Sequence, residues 1–320
     1  MKIFVGDESF AKYDSLGLNM LKDSGMLEEF ICRDDADGII AGIEPYNEDV
    51  LKTIPNLRII SRMGVGYDNV DIDYCREHNI MVTYTPEAPA GSVAELTIAQ
   101  MLNLIRSLPR NNEEVKKGWW NKYLGKKFSE LTIGVIGVGR IGQRVIKRLQ
   151  PFTPKEILAY DIDTLKVEKF WIEGGCAFTD CLNVETLIKD SDIITVHIPM
   201  SAGNKNYLNK NFFKAMKNGS YLINTSRGGI LNECDLYETL FHHSHKLAGV
   251  ALDVFFEEPY NGPLIKFNNI LMTPHVGSLT LEARIAMEIG AVNSCVNFLS
   301  HGDVINPVPE MEMTDEPIKN

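Results

Sequence analysis

The chain has 320 residues, 44% of them hydrophobic and 23% charged, with a net charge of −11. That length suits two domains of ordinary size, and that balance suits a globular protein. An acidic chain whose dense basic run is only "VKKGWWNKYLGKK" lacks the basic stripe that binding to nucleic acid requires, so no nucleic-acid partner is expected. No window reaches the roughly 18 apolar residues of a spanning helix. The short N-terminal run "KIFVG" is followed at once by acids and is too short for the apolar region of a signal segment, so none is expected. A cytoplasmic protein with no membrane partner is expected. The six cysteines are scattered without a CxxC pair and read as reduced thiols.

In chain order, "KIFVG", "DGIIAGI", "LRIISRMG" and "IMVTYTP" read as buried strands. "SLGLNMLKDSG", "NEDVLKTIP" and "NVDIDYCREHN" read as the helices or turns between them. That alternation builds a parallel sheet with helices on its faces. The spacing then predicts a long helix over "SVAELTIAQMLNLIRSLP", with Ser92 and Glu95 as its capping box and Pro109 as its stop. After a Trp-containing connector a second series follows: "LTIGVIGV", "EILAYD", "DIITVHIP", "SYLINTS", "LAGVALDVF" and "NILMTPH". A last helix, "LEARIAMEIGAVNSCVNFL", leads into an acidic tail.

The second series opens with Gly137-x-Gly139-x-x-Gly142, after an apolar strand and at the start of a helix. Gly137 permits the tight turn, Gly139 the close approach of a pyrophosphate, and Gly142 the packing of helix on sheet. The next strand ends in Asp161, 161 − 142 = 19 residues past the last glycine. An acid there accepts hydrogen bonds from an adenosine ribose and repels a 2′-phosphate, so the expected cofactor is NAD rather than NADP.

Three later strand ends supply chemistry in order. "INTSRGG" places Arg227 where an α/β sheet binds ligands, and a guanidinium fork suits a carboxylate and a carbonyl. "LDVFFEEP" supplies acids, and "LMTPHVGS" supplies His275, a proton donor or acceptor when a carboxylate stands beside it. The triple "HHSH" (His242, His243, His245) has no further ligand at metal spacing, and no metal is expected.

At this point the chain resembles the D-isomer-specific 2-hydroxy acid dehydrogenases, in motifs most like D-3-phosphoglycerate dehydrogenases. The resemblance runs through "SRMGVGYDNVD", "SVAELTIAQML", "IGVIGVGRIGQ", "TVHIPM", "INTSRGGIL", "ALDVFFEEP" and "TPHVGS". It implies Arg227, Glu258 and His275 as the catalytic set, with Glu257 a bystander. It implies cofactor contacts by Arg140, Ile141, Asp161, Ile198, Thr225, Ser226 and Asp253, by His275 to Ser278 including Gly277, and by Thr85. The Gly64-Val65-Gly66 turn would cradle a substrate carboxylate, and Arg62 a substrate phosphate. The implied fold is α/β: two doubly wound domains, with a Rossmann NAD-binding domain (99–293) inserted into a flavodoxin-like substrate domain (1–98 and 294–320). The implied partners are a small 2-hydroxy or 2-oxo acid and a second copy, paired through the NAD-binding domains. Beside the phosphoglycerate-type reading stand a glyoxylate or hydroxypyruvate reductase and a non-catalytic NAD-sensing corepressor.

Overall fold

A computed structural model describes residues 1–27, 32–174 and 176–309. The chain divides into two compact units, Met1–Ala90 with Ser278–Asn320, and Gly91–Gly277.

In the first unit β1 (Ile3–Val5), β2 (Gly38–Ala41), β3 (Ile59–Arg62) and β4 (Met81–Thr83) pair in parallel, in the order β1-β2-β3-β4. Their apolar runs do not alternate with polar residues because both faces are covered. Ile39, Ile60 and Val82 enter one cluster with Tyr46 and Leu51, while their neighbours Ile40, Ile59 and Met81 enter another. The second cluster is closed by Met287, Ala291, Val292, Cys295, Phe298 and Leu299, from the helix Leu281–His301. Thr280 caps that helix, accepting the Ala283 N–H, and Gly302, at φ 79°, ends it. The whole helix therefore belongs to the first unit. The sequence placed the two boundaries at 98 and 294; the units part at 90 and 278.

In the second unit β5 (Thr132–Ile136), β6 (Glu156–Tyr160), β7 (Thr179–Asp180), β8 (Ile193–Val196), β9 (Ser220–Asn224), β10 (Leu247–Leu252) and β11 (Ile270–Met272) form one parallel sheet. Its order is β7-β6-β5-β8-β9-β10-β11. The order reverses between β5 and β8, and a sheet wound both ways from such a point opens a crevice at its carboxyl edge. Successive residues again bury on opposite faces: Ile193 and Ile223 on one, Ile194 and Leu222 on the other. Strand β7 has no apolar run and was not legible in the sequence, since both its residues are exposed at the sheet edge.

Two local expectations fail. The long helix runs Ala90–Ile105, so Ser92 lies inside it, and Glu95 accepts from Arg148 Nη2 at 3.0 Å instead of closing a capping box. Pro109 does not only stop that helix; it sits in the first turn of the next, Leu108–Lys116, where a missing N–H costs nothing. The acidic tail beyond 309 lies outside the described residues. No helix among the described residues is long and apolar enough to cross a membrane.

Candidate active site

Strand β5 runs into Gly137, whose φ of 94° favours glycine and whose N–H donates to the Tyr160 carbonyl at 2.8 Å. A Cβ on Gly137 would stand 2.6 Å from the His197 carbonyl oxygen, and one on Gly142 would run into the Gly137 carbonyl. Gly139 is different: apart from its own chain neighbours, no described atom lies within 4 Å of where its Cβ would be. The fold does not demand glycine there, so the open space suits a group that approaches the backbone from outside. The helix Arg140–Leu149 starts at this point, and the positive end of a helix favours an anion. Arg140 and Ile141 are its first two residues. Asp161 follows β6 with one carboxylate oxygen on the Val138 N–H at 2.8 Å and the other on the Asp163 N–H at 3.0 Å. Ile198, after β8, packs against Gly137. The glycine turn, the helix start and the acid together fit the diphosphate and ribose of a dinucleotide.

Asn224, Leu252 and Met272 are aligned across β9, β10 and β11. The residues that follow them, Arg227, Asp253 and His275, therefore leave one edge of the sheet. Arg227 is half-buried, and its Nη1 donates to the Ser226 carbonyl at 2.7 Å. Thr225 Oγ1 lies 3.2 Å from Thr97 Oγ1. Glu258 Oε2 lies 2.8 Å from His275 Nδ1, while Oε1 accepts the Phe255 N–H at 3.0 Å. One oxygen thus anchors the carboxylate to its own loop and the other orients the imidazole. With Nδ1 turned to Glu258, Nε2 is the nitrogen left to face a ligand. The His275 side chain keeps 46% of its exposure. Glu257 is exposed.

Asp253 was expected to face the cofactor. It is 1% exposed, and its carboxylate is taken up by the turn that follows β11: Oδ1 accepts from Thr273 Oγ1 at 2.5 Å and from the Val276 N–H at 2.9 Å, and Oδ2 from the Gly277 N–H at 2.8 Å. Buried charge needs such donors, and here they are the backbone around His275.

The first unit holds the remaining expected residues. Gly64 donates its N–H to the Arg62 carbonyl and accepts from the Thr85 N–H, both at 3.0 Å. The N–H groups left for an anion nest are those of Val65 and Gly66. Thr85 is 4% exposed, and its Oγ1 has no hydrogen-bond partner among the described residues. Ser278 accepts the Thr280 N–H at 3.0 Å.

Three supporting residues escaped the sequence reading. Asn224, fully buried, accepts from both the N–H and the hydroxyl of Ser226 and donates to the Arg227 carbonyl, which sets the arginine's turn. An Asn-Thr-Ser run at a strand end is the available signal. Gly228 admits no side chain because the Phe255–Phe256 backbone passes over it, locking the arginine's turn to the Glu258 loop. His197, on whose carbonyl the Gly137 turn rests, has its imidazole pushed down to about 3 by burial, and its Nε2 pairs with Thr195 Oγ1 at 2.9 Å. Outside the site, His242 of the "HHSH" run pairs with Glu238 at 3.2 Å.

A glycine-rich turn at the switch point and an Arg, an Asp and a His–Glu pair on one sheet edge define a dinucleotide-binding oxidoreductase. Residues 98–277 match the family model described as D-isomer specific 2-hydroxyacid dehydrogenase, NAD binding domain, and the chain belongs to that family of NAD-dependent oxidoreductases. It is 32% identical over 322 residues to a D-3-phosphoglycerate dehydrogenase of Archaeoglobus fulgidus, covering 97% of this chain but 59% of that protein's length. It is 35% identical over 270 residues to a glyoxylate reductase of Thermofilum pendens, covering 81% of this chain and 77% of the relative. The structure of a D-lactate dehydrogenase from Aquifex aeolicus, complexed with NAD and lactic acid, superposes with a TM-score of 0.80 at 27% identity, over 96% of this chain and 99% of that one.

Proposed function

We propose that the protein moves a hydride between NAD and C2 of a D-2-hydroxy acid or its 2-oxo form. The observation that supports this most is the Glu258–His275 pair, which leaves Nε2 on an exposed ring beside the sheet edge that also presents Arg227. NAD, when bound, supplies the hydride acceptor or donor. Gly137, Gly139, Gly142, Arg140 and Ile141 would hold its diphosphate and Asp161 its ribose, with Ile198, Thr225 and Ser226 alongside. In the reduction direction Arg227 draws charge toward the carbonyl oxygen that becomes an alkoxide. His275 gives that oxygen a proton from Nε2, and Glu258 holds the imidazole in the tautomer and orientation the transfer needs. Taken by itself, the Gly64–Gly66 turn suits a carboxylate through its Val65 and Gly66 N–H groups.

The relatives' names divide among phosphoglycerate, glyoxylate and hydroxypyruvate enzymes, so the acid itself is a separate question. A homodimer belongs to the same reading. What supports it is apolar surface on the connector after Lys117, where Trp119, Trp120 and Leu124 are exposed close to one another in sequence.

Steady-state assay of His275→Gln on the best 2-oxo acid with NADH tests the assignment. Turnover should fall by about a hundredfold or more, the low end for a positioned acid; a loss under about tenfold would remove His275 from the role. Tight NAD binding with no turnover on any 2-oxo acid would favour a non-catalytic NAD-binding protein.

A further inference from the structure

Arg62 ends β3 at the carboxyl edge of the first sheet, and its charge suits a phosphate. Its side chain is turned to another task. Nη1 donates to the Met63 carbonyl at 2.5 Å and lies 3.4 Å from the Ala41 carbonyl. The guanidinium sits under the Gly64 turn: a Cβ on Gly64 would be 3.1 Å from Nη1, 3.4 Å from Cζ and 3.5 Å from Nη2. The Arg62 carbonyl meanwhile accepts the Gly64 N–H. The residue is 9% exposed. The turn from 62 to 64 is thus wrapped around its own guanidinium, which ties the end of β2 to the turn after β3.

The surroundings are acidic as well. Asp7 and Glu44 converge on Gly42, next to the Ala41 carbonyl; a Cβ on Gly42 would be 2.7 Å from Glu44 Oε2 and 2.9 Å from Asp7 Oδ2. The buried hydroxyl of Tyr46 is pushed up to about 12, chiefly by lost hydration, with Glu44 and Asp7 adding to the shift and Arg33 and Arg62 opposing it. Arg62, Asp7, Glu44 and Tyr46 therefore share one local field. A phosphate dianion reaching Arg62 would meet a guanidinium whose Nη1 is already committed to backbone carbonyls, and would approach two carboxylates of its own sign.

We infer that Arg62 is a positioning residue, the strut beneath the carboxylate cradle, and that the substrate is an unphosphorylated 2-oxo acid. This rests on the 2-oxo acid reading above. The test measures kcat and KM with NADH for glyoxylate, hydroxypyruvate and 3-phosphohydroxypyruvate, on the wild type, Arg62→Met and Arg62→Lys, with NADH fluorescence titration as the check that each variant is folded. The wild type should favour one of the unphosphorylated acids by at least about tenfold in kcat/KM, since like charges brought together are strongly disfavoured. Arg62→Met should raise KM for all three acids by a common factor on the order of ten to a hundred, the size of a lost charge-assisted hydrogen bond. Its kcat should change less, and Arg62→Lys should recover part of the loss. A wild type that prefers the phosphorylated acid, or an Arg62→Met that loses that acid selectively, would overturn the inference. If Arg62→Met does not fold, the wild-type preference and Arg62→Lys decide. Turnover of none of the acids would overturn the dehydrogenase reading itself, which is a different failure from a preference for the phosphorylated acid.

Discussion

Asp253 holds the backbone of His275 in place: its carbonyl accepts the His275 N–H at 2.9 Å, and its carboxylate accepts the next two N–H groups, those of Val276 and Gly277. His275 has φ 52°, a left-handed conformation that costs a non-glycine residue energy and persists only where the surroundings fix it. The buried carboxylate is that fixture. Asp253→Asn keeps the shape but brings an amide N–H₂ against a backbone donor, so one acceptor is lost. It should destabilise the protein by about 1–3 kcal/mol and lower kcat through a misplaced imidazole. Urea titration beside steady-state kinetics checks both; a variant with wild-type kcat and stability would show that the turn holds itself.

Glu258 and Glu257 are adjacent acids with opposite surroundings. Only Glu258 is tied at both oxygens, to the Phe255 N–H and to His275. Glu258→Gln should reduce kcat by about ten- to a hundredfold, whereas Glu257→Gln should stay within about twofold of the wild type. Equal losses in the two variants would mean that the loop as a whole matters rather than the pair.

Much of this arrangement was legible in the sequence because it depends on strand ends. A parallel sheet sends its functional residues out at the carboxyl edge, so Gly137, Arg227 and His275 could be placed from an apolar run followed by a break. The fingerprint glycines were legible for the same reason, and so was the last helix, whose boundaries match the pattern "LEARIAMEIGAVNSCVNFL" closely. What stayed hidden depends on tertiary partners. That the Asp253 carboxylate holds the Val276 and Gly277 N–H groups could not be read from "LDVFFEEP". That the Arg62 guanidinium lies under Gly64 could not be read from "SRMGVGYDNVD". Gly228 gives no local signal at all, because the backbone it admits comes from residues 255 and 256. Ser92 and Glu95 match a capping box, but the helix had begun two residues earlier.

On the proposed reading, Asp161 is the residue that sets the cofactor preference. Its carboxylate already faces the glycine turn through the Val138 N–H, so a phosphate on the ribose would meet that charge directly. Asp161→Ser combined with Ile162→Arg should move the ratio of kcat/KM for NADH over NADPH by at least about tenfold toward NADPH, since one repulsion is removed and one cation added. An unchanged ratio would put Asp161 outside the ribose site.

His197 makes stability depend on acid. Its imidazole is pushed from the ordinary 6.5 down to about 3 by burial. Above pH 6.5 it is neutral in both folded and unfolded chains and contributes no slope. Between 6.5 and about 3 the unfolded chain binds a proton that the folded chain refuses, so stability falls as pH falls, by up to about 1.4 kcal/mol per pH unit for one proton. His197→Gln, which can keep the bond to Thr195, should flatten that stretch of the stability curve and leave the curve above pH 7 parallel to the wild type. Denaturant midpoints at half-unit steps from pH 4 to 8 would show it; parallel curves throughout would mean that His197 is protonated in the folded state.

Glu288 has the opposite sign. It is 2% exposed on the helix Leu281–His301, and burial raises its carboxyl above the ordinary 4.5, against the Ala11 N–H and Arg284, which lower it. Oε2 accepts the Ala11 N–H at 3.2 Å, while Oε1 has no hydrogen-bond partner among the described residues. Below pH 4.5 the group is protonated in both states and its contribution to stability is complete. As pH rises through the raised folded value, the unfolded chain releases its proton more readily, and that contribution is lost. At neutral pH the folded protein therefore holds a poorly solvated charge. Glu288→Gln removes the charge, keeps an oxygen for Ala11 and offers an N–H₂ in place of the unpartnered oxygen. It should match the wild type near pH 4.5 and exceed it by roughly 1 kcal/mol at pH 8, read from urea midpoints at the two values. A Gln variant less stable than the wild type at pH 8 would mean that the attraction of Arg284 outweighs the burial of the carboxylate.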